Sequence, residues 1–422
     1  MHDKSVLLRD WSLFSACYLL ATAYGAVYLL LNHTTRNLSG STLDFGGFFA
    51  FSGVATLLTV GISGTLSKRF GAHLVAAFAG LFCAAGLYGL SVIESVGPMY
   101  YALAASMGLG WSFYYAAAPM MSLSDLIAEN RKGRYISLIS VCVVLGTASM
   151  PTAKGIWFPD TALSELFFFC AILSVASSFM FMLTGRLFQI SGRRTEGKIP
   201  AFNWRLWKSE AVFPFAMVFL GACVFSAMMT LQVGYAEDRH VNYGVFFLTY
   251  SLSVIACRIF FGGVLTKANP LKMLPAILMV MELGLTVMLL NKGSTPLYIA
   301  SAACLGMSYG LAYPLIKTYA VRVTAKEDRH QVISFFTLSY FAGVYFFPLT
   351  AGKIMVHFST DGYLIALLGI VAVYLLIAWQ RQTYAQSYFR ETTSNTAPTP
   401  PRHHKGKKQS ARPKPNVFPF IS

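Results

Sequence analysis

The sequence predicts an all-helical integral membrane protein with twelve transmembrane helices arranged as two six-helix pseudo-repeats. Three observations predict this fold class: the composition, a series of long apolar stretches, and a repeated glycine and proline pattern. Hydrophobic residues make up 55% of the chain and charged residues only 12%, about half the charged share of a soluble domain. Helices are favoured because a segment in lipid must satisfy its own backbone hydrogen bonds.

Apolar stretches of about 20 residues, the length that crosses a bilayer, recur twelve times along the chain. They lack the alternating hydrophobicity of a membrane barrel strand. We predict spans at residues 11–32, 45–66, 72–93, 98–123, 135–157, 163–189, 209–234, 244–265, 271–291, 297–321, 331–355 and 361–382.

A pattern of glycine and proline in the fifth predicted span returns with the same spacing in the eleventh. The two copies are Gly146, Pro151 and Gly155, and Gly343, Pro348 and Gly352. The chain is therefore predicted to contain two related halves, an architecture common among secondary transporters.

Basic residues indicate the orientation, because cytoplasmic loops of membrane proteins carry an excess of Lys and Arg. Most of the 33 Lys and Arg residues fall on the side of the N-terminus, so both termini are predicted to be cytoplasmic. The net charge of +16 then reflects topology, and nucleic-acid binding is not needed to explain it. The predicted parts are an N-terminal six-helix half (1–189), a cytoplasmic central loop (190–208), a C-terminal six-helix half (209–382) and a disordered, basic, proline-rich cytoplasmic tail (383–422).

Motifs of ATP hydrolysis, zinc hydrolysis and dithiol redox chemistry are absent from the sequence. The chain contains no G-x-x-x-x-G-K-[ST], H-E-x-x-H or C-x-x-C pattern, so nothing supports ATP hydrolysis, a zinc hydrolase or a redox dithiol. We predict that the protein is not an enzyme and has no catalytic residue, metal site or cofactor.

The segment that follows the second predicted span resembles the loop signature G-x-L-x-D-R-x-G-R-R of the major facilitator superfamily. Gly64, Leu66, Arg69 and Gly71 match that signature, whereas Lys68 stands at the acidic position. In the family this acidic residue joins a cytoplasmic charge network. A lysine cannot replace the acid, so the network must be rewired here.

The resemblance extends over about residues 10–382, and residues 246–267 are similar to the eighth span of bacterial metabolite-efflux members. It implies the fold of that superfamily, alternating access, a multi-pass protein of the bacterial inner membrane, and the proton as coupling ion. In the rewired charge network, Asp125 is the candidate partner of Lys68 or Arg69. The alternative is that these residues are solvated loop charges.

By the same resemblance, spans one, four, seven and ten line a central cavity, and each carries aromatic or polar residues at helical spacing. Tyr309, Tyr313 and Lys317 recur every four residues and share one face of the tenth span. Ordinary helix packing, and snorkelling of the Lys317 side chain, is the alternative interpretation. The candidate substrate-binding residues are Tyr24, Tyr28, Trp111, Tyr114, Gln232, Tyr309, Tyr313 and Lys317.

Charges inside the predicted spans favour one class of substrate, because each is expensive in lipid unless it is paired or hydrated. Lys317 and Arg258 are basic, and Glu282 is the deep acid. Basic groups outnumber acids along the predicted pathway, which favours an anionic or zwitterionic cargo. The candidate coupling or gating residues are Asp125, Arg69, Arg258 and Glu282.

These observations predict a monomeric, proton-coupled secondary active transporter that moves a small anionic or zwitterionic metabolite, with export favoured by the resemblance of the eighth span. Its expected partners are a small-molecule substrate and the lipid bilayer. One alternative is a nutrient or siderophore importer or uniporter of the same fold. A more distant one is a non-transporting membrane receptor or scaffold.

Overall fold

The structure, a computed structural model, describes the backbone of residues 2–121, 129–187, 204–230, 232–267, 269–325 and 328–395. Every regular element in these ranges is helical, which agrees with the predicted class. The helices are α1 (His2–Asn37), α2 (Thr42–Phe70), α3 (Ala72–Val92), α4 (Pro98–Met121), α5 (Glu129–Ile156), α6 (Leu163–Leu187), a 3₁₀ turn (Trp204–Lys208), α7 (Val212–Thr230), α8 (Gln232–Arg239), α9 (Tyr243–Lys267), α10 (Pro270–Leu290), α11 (Thr295–Arg322) and α12 (Arg329–Asn395).

The described residues contain ten helices long and apolar enough to cross a membrane, or eleven if the two bent parts of α1 form one span. Helix α4 is 24 residues long but is not among them. Its polar and aromatic residues, including Ser112 and Tyr115, lower its hydropathy. The predicted number of twelve spans therefore stays a prediction.

Helix ends are marked by local capping. Ser41 begins α2 with a capping box: its Oγ accepts from the Asp44 backbone N–H at 3.2 Å, and its own N–H donates to the Asp44 carboxylate at 2.8 Å. Gly71 adopts φ 97° between α2 and α3, a conformation that favours glycine. Asn269 caps α10 ahead of Pro270, as expected for proline at the first helical position.

The last helix is divided by a break at Ser359, where φ is 63°. The helix holds two candidate spans, called α12a (Gln331–Met355) and α12b (His357–Tyr384), and Ser359 lies near the start of the second. Helix α12 continues to Asn395, so the residues at the start of the predicted tail are helical. The later tail residues, and residues 190–203 of the predicted central loop, lie outside the described part of the chain.

The first glycine of each copy of the pattern, Gly146 or Gly343, packs against the first helix of its own half. A Cβ added to Gly146 of α5 would lie 2.7 Å from the Tyr18 carbonyl oxygen of α1. A Cβ added to Gly343 of α12a would lie 2.6 Å from the Phe219 carbonyl oxygen of α7. Such short distances require glycine, so the duplicated pattern marks the same helix contact in both halves.

Candidate functional site

One end of the bundle carries the turns at residues 38–41, 157–162 and 240–242, and we call it the closed end. There α2 lies directly against α12a. A Cβ on Gly46 would lie 2.6 Å from the Leu349 Cα, and one on Gly53 would lie 2.5 Å from the Tyr345 Cβ. Because these positions are glycine, the backbones of the two halves can touch here. We call this contact the α2–α12a seam.

A second seam joins α5 to α9 at the same end. A Cβ on Gly155 would lie 2.8 Å from the Gly244 Cα. The Asn242 side chain donates to the Gly155 carbonyl at 2.8 Å, while its Oδ1 accepts from the Gly244 N–H at 2.8 Å. Asn242 therefore caps α9 and also satisfies a carbonyl at the end of α5.

Charged side chains add a third contact between the halves at the closed end. Glu237 of α8 lies 3.3 Å from His33 Nε2 and 3.5 Å from Arg36 Nη1, both on α1. The Arg36 and Glu237 side chains are about half exposed, so we expect this pair to contribute little stability.

The opposite end of the bundle, which we call the open end, lacks this glycine contact on α2. Gly61 and Gly64 continue the helical face of Gly46 and Gly53 along α2, yet a Cβ on either would meet no atom within 4 Å. Lys317 on α11 is exposed, although it shares a helix face with the half-buried Tyr313. Open space therefore lies beside these two glycines at this end of the bundle, and we call it the cavity.

Buried tyrosines close the cavity on the side of the closed end. The Tyr24 and Tyr345 hydroxyls are 2.8 Å apart and form a hydrogen bond between α1 and α12a. Tyr24 also stacks on Trp111, with ring centroids 4.1 Å apart, and lies 5.6 Å from Tyr28. We call these four residues, all nearly inaccessible to solvent, the tyrosine gate.

Four half-buried tyrosines lie one layer nearer the open end. The Tyr115 hydroxyl of α4 and the Tyr313 hydroxyl of α11 are 3.0 Å apart, which links the two halves. Tyr309 and Tyr340 form a second hydroxyl pair at 3.0 Å. Phe225 of α7 stacks on Tyr309 at 4.7 Å. The layer thus presents rearrangeable hydroxyl groups between aromatic walls.

Arg258 of α9 lies beside this layer. Its guanidinium donates to the Ser140 hydroxyl of α5 and lies 3.5 Å from the Ser140 carbonyl oxygen. Its helix packs on α11 at the level of these tyrosines: a Cβ on Gly310, which lies between Tyr309 and Tyr313 in the sequence, would be 3.1 Å from the Val254 Cα and 3.5 Å from the Cys257 Cβ of α9. These tyrosines, with Tyr340, Arg258 and Ser140, are called the central site.

The predicted binding residues are distributed over four places. Tyr24, Tyr28 and Trp111 belong to the tyrosine gate, and Tyr114 packs beside Trp111 at 5.2 Å. Tyr309 and Tyr313 belong to the central site, and Lys317 lies toward the open end. Gln232 is buried elsewhere: it accepts from the Tyr298 hydroxyl at 2.8 Å and donates toward the Met228 sulfur at 3.3 Å.

The predicted gating residues do not form one cluster in the described structure. Asp125 lies outside the described residues, so its pairing with Arg69 stays a prediction. Arg69 is exposed and lies over the Phe70 ring at 5.4 Å. Glu282 is partly buried on α10, and its Oε2 atom is buried without a hydrogen-bond partner. Over the described residues, no three His, Cys, Asp or Glu side chains are grouped to hold a metal.

Sequence reasoning did not select Ser140, Tyr340 or Tyr345 for the site. A signal existed on the eleventh span, where Tyr340 and Tyr345 stand among Phe336, Phe341 and Phe346. The importance of Ser140 could not be inferred, because it depends on the contact between α5 and α9.

A bundle of membrane helices in two halves, joined at one end by glycine contacts and with a polar central site between them, is typical of membrane transporters. The family comparison agrees. The model of the major facilitator superfamily matches residues 11–324 and 240–418. The chain therefore belongs to the major facilitator superfamily; it is a multi-pass membrane transporter and not an enzyme.

Solved transporter structures share this fold. A mutant of the peptide transporter POT in complex with alafosfalin aligns with a TM-score of 0.73 at 16% identity, covering 90% of this chain and 95% of that chain. A mutant of the nucleoside transporter NupG aligns with a TM-score of 0.69 at 13% identity, covering 89% and 99%. At these identities the likeness concerns the fold alone. The search of curated proteins found no significant match.

Proposed function

We propose that this protein is a monomeric secondary active transporter that moves a small anionic or zwitterionic metabolite by alternating access. The observation that carries the proposal is the contrast between the two ends of the bundle: glycine seams hold one end shut, while Gly61 and Gly64 on the same helix face meet nothing. If one half rocked against the other around the central site, the closed end would open and the open end would close.

The proposed topology has twelve spans, with α4 as the span of lowest hydropathy and both termini in the cytoplasm. Basic residues concentrated on the side of the N-terminus support this orientation. The closed end then faces outward and the open end faces the cytoplasm, so the described conformation is inward-open. We assign the protein to a bacterial inner membrane.

The charges near the cavity support an anionic or zwitterionic cargo. Arg258 lies at the central site, and Lys317 lies on the cavity face of α11 nearer the open end. No carboxylate of the described residues lies within salt-bridge distance of Arg258. A cationic substrate would meet repulsion there without a matching acid.

Proton coupling and export complete the proposal. Glu282 is a candidate proton carrier, since it lies within a span, its Oε2 atom is buried without a hydrogen-bond partner, and ionisable groups inside spans often form proton relays. Asp125 remains a second candidate. Export is favoured by the resemblance of residues 246–267 to metabolite-efflux members.

The test begins with comparative metabolite profiling of cells with and without the protein, which identifies solutes whose distribution changes. Each solute is then offered to proteoliposomes with an imposed proton gradient. We expect transport that stops when the gradient is collapsed and that is weakened in Glu282→Gln. Equal transport without a gradient would indicate a uniporter. If cells with the protein took up the solute from the medium, the proposed export direction would be wrong.

A protein that moves none of these solutes, yet binds another protein through its tail, would be a receptor or scaffold. A variant with Gly369→Leu is the matched control for expression and insertion, because a Cβ at Gly369 meets no atom within 4 Å.

A further inference from the structure

Arg258 carries a positive charge without a carboxylate partner in the described part of the chain. It lies within the candidate span Tyr243–Phe261, and both of its hydrogen-bond contacts are oxygens of the neutral Ser140. A guanidinium has five N–H donors in a planar fork. Several donors are therefore available to a ligand at the base of the cavity.

A charge at such a position is expensive unless water or an opposite charge compensates it. The Arg258 side chain is only partly buried, so water can compensate its charge in this conformation. When the open end closes, water is excluded, and a bound anion becomes the natural counter-charge. Because no carboxylate of the described residues pairs with Arg258, the counter-charge is expected to come from an anionic ligand.

The surroundings of Arg258 also restrict the shape of that ligand. The hydroxyls of Tyr115 and Tyr313 are bonded to each other and can turn to donate to an anion. The rings of Tyr309 and Tyr313 lie 6.2 Å apart, and Tyr340 lies 5.3 Å from Tyr313, so these rings pack on one another. All three are only partly buried, and the accessible surface of such an aromatic cluster favours contact with a further flat ring.

We propose that Arg258 binds the carboxylate of a small acid with a flat, aromatic body, and that Tyr115 and Tyr313 supply further donors. This inference rests on the proposed transport function and names the substrate class of its central site. Arg258 was predicted as a gating or coupling residue, and here it contacts the cargo. An arginine binds a carboxylate through two parallel hydrogen bonds, which a serine hydroxyl cannot match.

The arrangement also connects binding to motion. Arg258 belongs to the C-terminal half and Ser140 to the N-terminal half. A carboxylate that takes the guanidinium away from Ser140 removes one contact of the α5–α9 seam. The substrate therefore loosens the seam at the moment at which it occupies the site.

The test uses purified protein in detergent and equilibrium dialysis of radiolabelled benzoate, with benzamide and benzylammonium as competitors that keep the ring and change the charge. We expect saturable benzoate binding that neither competitor displaces. Arg258→Gln should weaken it by about tenfold or more, and Arg258→Lys by less, because the charge remains while the planar fork is lost. Ser140→Ala should bind benzoate at least as tightly as the wild type.

Lys353→Gln is the charge-matched control, because it also removes one positive charge, but from an exposed position near the closed end. The affinity of this variant for benzoate should equal that of the wild type. Equal affinity in folded Arg258→Gln, equal displacement by benzylammonium, or no binding to the wild type would overturn the inference. Benzoate binding through Arg258 without flux of any solute in proteoliposomes would instead refute the transport proposal. Flux that survives in Arg258→Gln would refute only this inference.

Discussion

The two seams between the halves, α2 with α12a and α5 with α9, share their construction at the closed end and differ near the middle of the bundle. Both bring the backbones together through glycine, at Gly46 and Gly53 on one seam and at Gly155 and Gly244 on the other. Gly352 of α12a also lies close to Thr42 of α2, as its copy Gly155 of α5 does to Gly244. The duplication thus preserves the closing geometry.

Toward the middle, the seams no longer match. Next to the α2–α12a seam, the Tyr345 hydroxyl forms a hydrogen bond with the Tyr24 hydroxyl. Next to the α5–α9 seam, the Arg258 guanidinium donates to the Ser140 hydroxyl. One seam therefore carries a neutral gate and the other a charge. Under the proposed function, the residues shared by the two copies allow the motion, and the residues that differ between them select the cargo.

The largest expected effect comes from filling a glycine contact. Gly155→Leu should destabilise the contact that holds the closed end together, because overpacking a close contact costs about 1–3 kcal/mol. We expect the ratio of molecules with this end apart to molecules with it together to rise by about tenfold or more. Spin labels on cysteines at Glu94 and Thr295, exposed positions of the two halves at that end, would report a longer distance. Gly46→Leu should act alike, and Gly369→Leu should leave the distance unchanged. A seam-specific effect would show that only one seam closes the bundle.

The next effect concerns the neutral gate. Tyr345→Phe leaves the buried Tyr24 hydroxyl without its partner, at a cost of about 1–3 kcal/mol, so the same labels should report a larger open population. The double variant with Tyr24→Phe removes both hydroxyls and should recover part of the loss. If the single and double variants both behave like the wild type, this hydrogen bond does not hold the gate.

A smaller effect is expected at Lys317. Because its side chain is exposed, its charge acts through screened attraction. Lys317→Gln should weaken benzoate binding about two- to threefold at low salt and not at all in high salt. The loss in Arg258→Gln should persist in high salt. A salt-independent loss at Lys317 would instead indicate direct contact with the ligand.

The smallest effect is expected at the exposed ion pair of the closed end. Glu237→Gln removes the contacts with His33 and Arg36, each on a partly exposed side chain. Such pairs contribute about 0–1 kcal/mol, so the closed population should change about twofold or less. A shift as large as that of Gly155→Leu would mean that charge, and not glycine packing, holds this end shut.

The sequence was sufficient for the helical class, the membrane setting and the family, since these depend on composition, span length and the signature around Gly64. It also selected Tyr24, Trp111, Tyr309 and Tyr313, because aromatic residues at helical spacing can be recognised within one span. The structure brings these residues to adjacent layers between the halves.

Residues whose importance depends on contacts between helices could not be predicted. Ser140 is an ordinary polar residue in an apolar span until α9 brings Arg258 against it. Gln232 looked like a cavity residue, yet it turns toward Tyr298 and two methionine sulfurs. In a span that is apolar on all sides, periodicity does not show which face meets the other half.

The most direct test of the central claim, that the halves rock about the central site, is a pair of distance measurements on the same protein. Spin labels at Glu94 and Thr295 report on the closed end, and labels at Thr65 and Ile333 report on the open end. Between the wild type and Gly155→Leu, the first distance should lengthen while the second shortens. If the closed end opens while the open end stays apart, or if neither distance changes, the halves do not move as proposed.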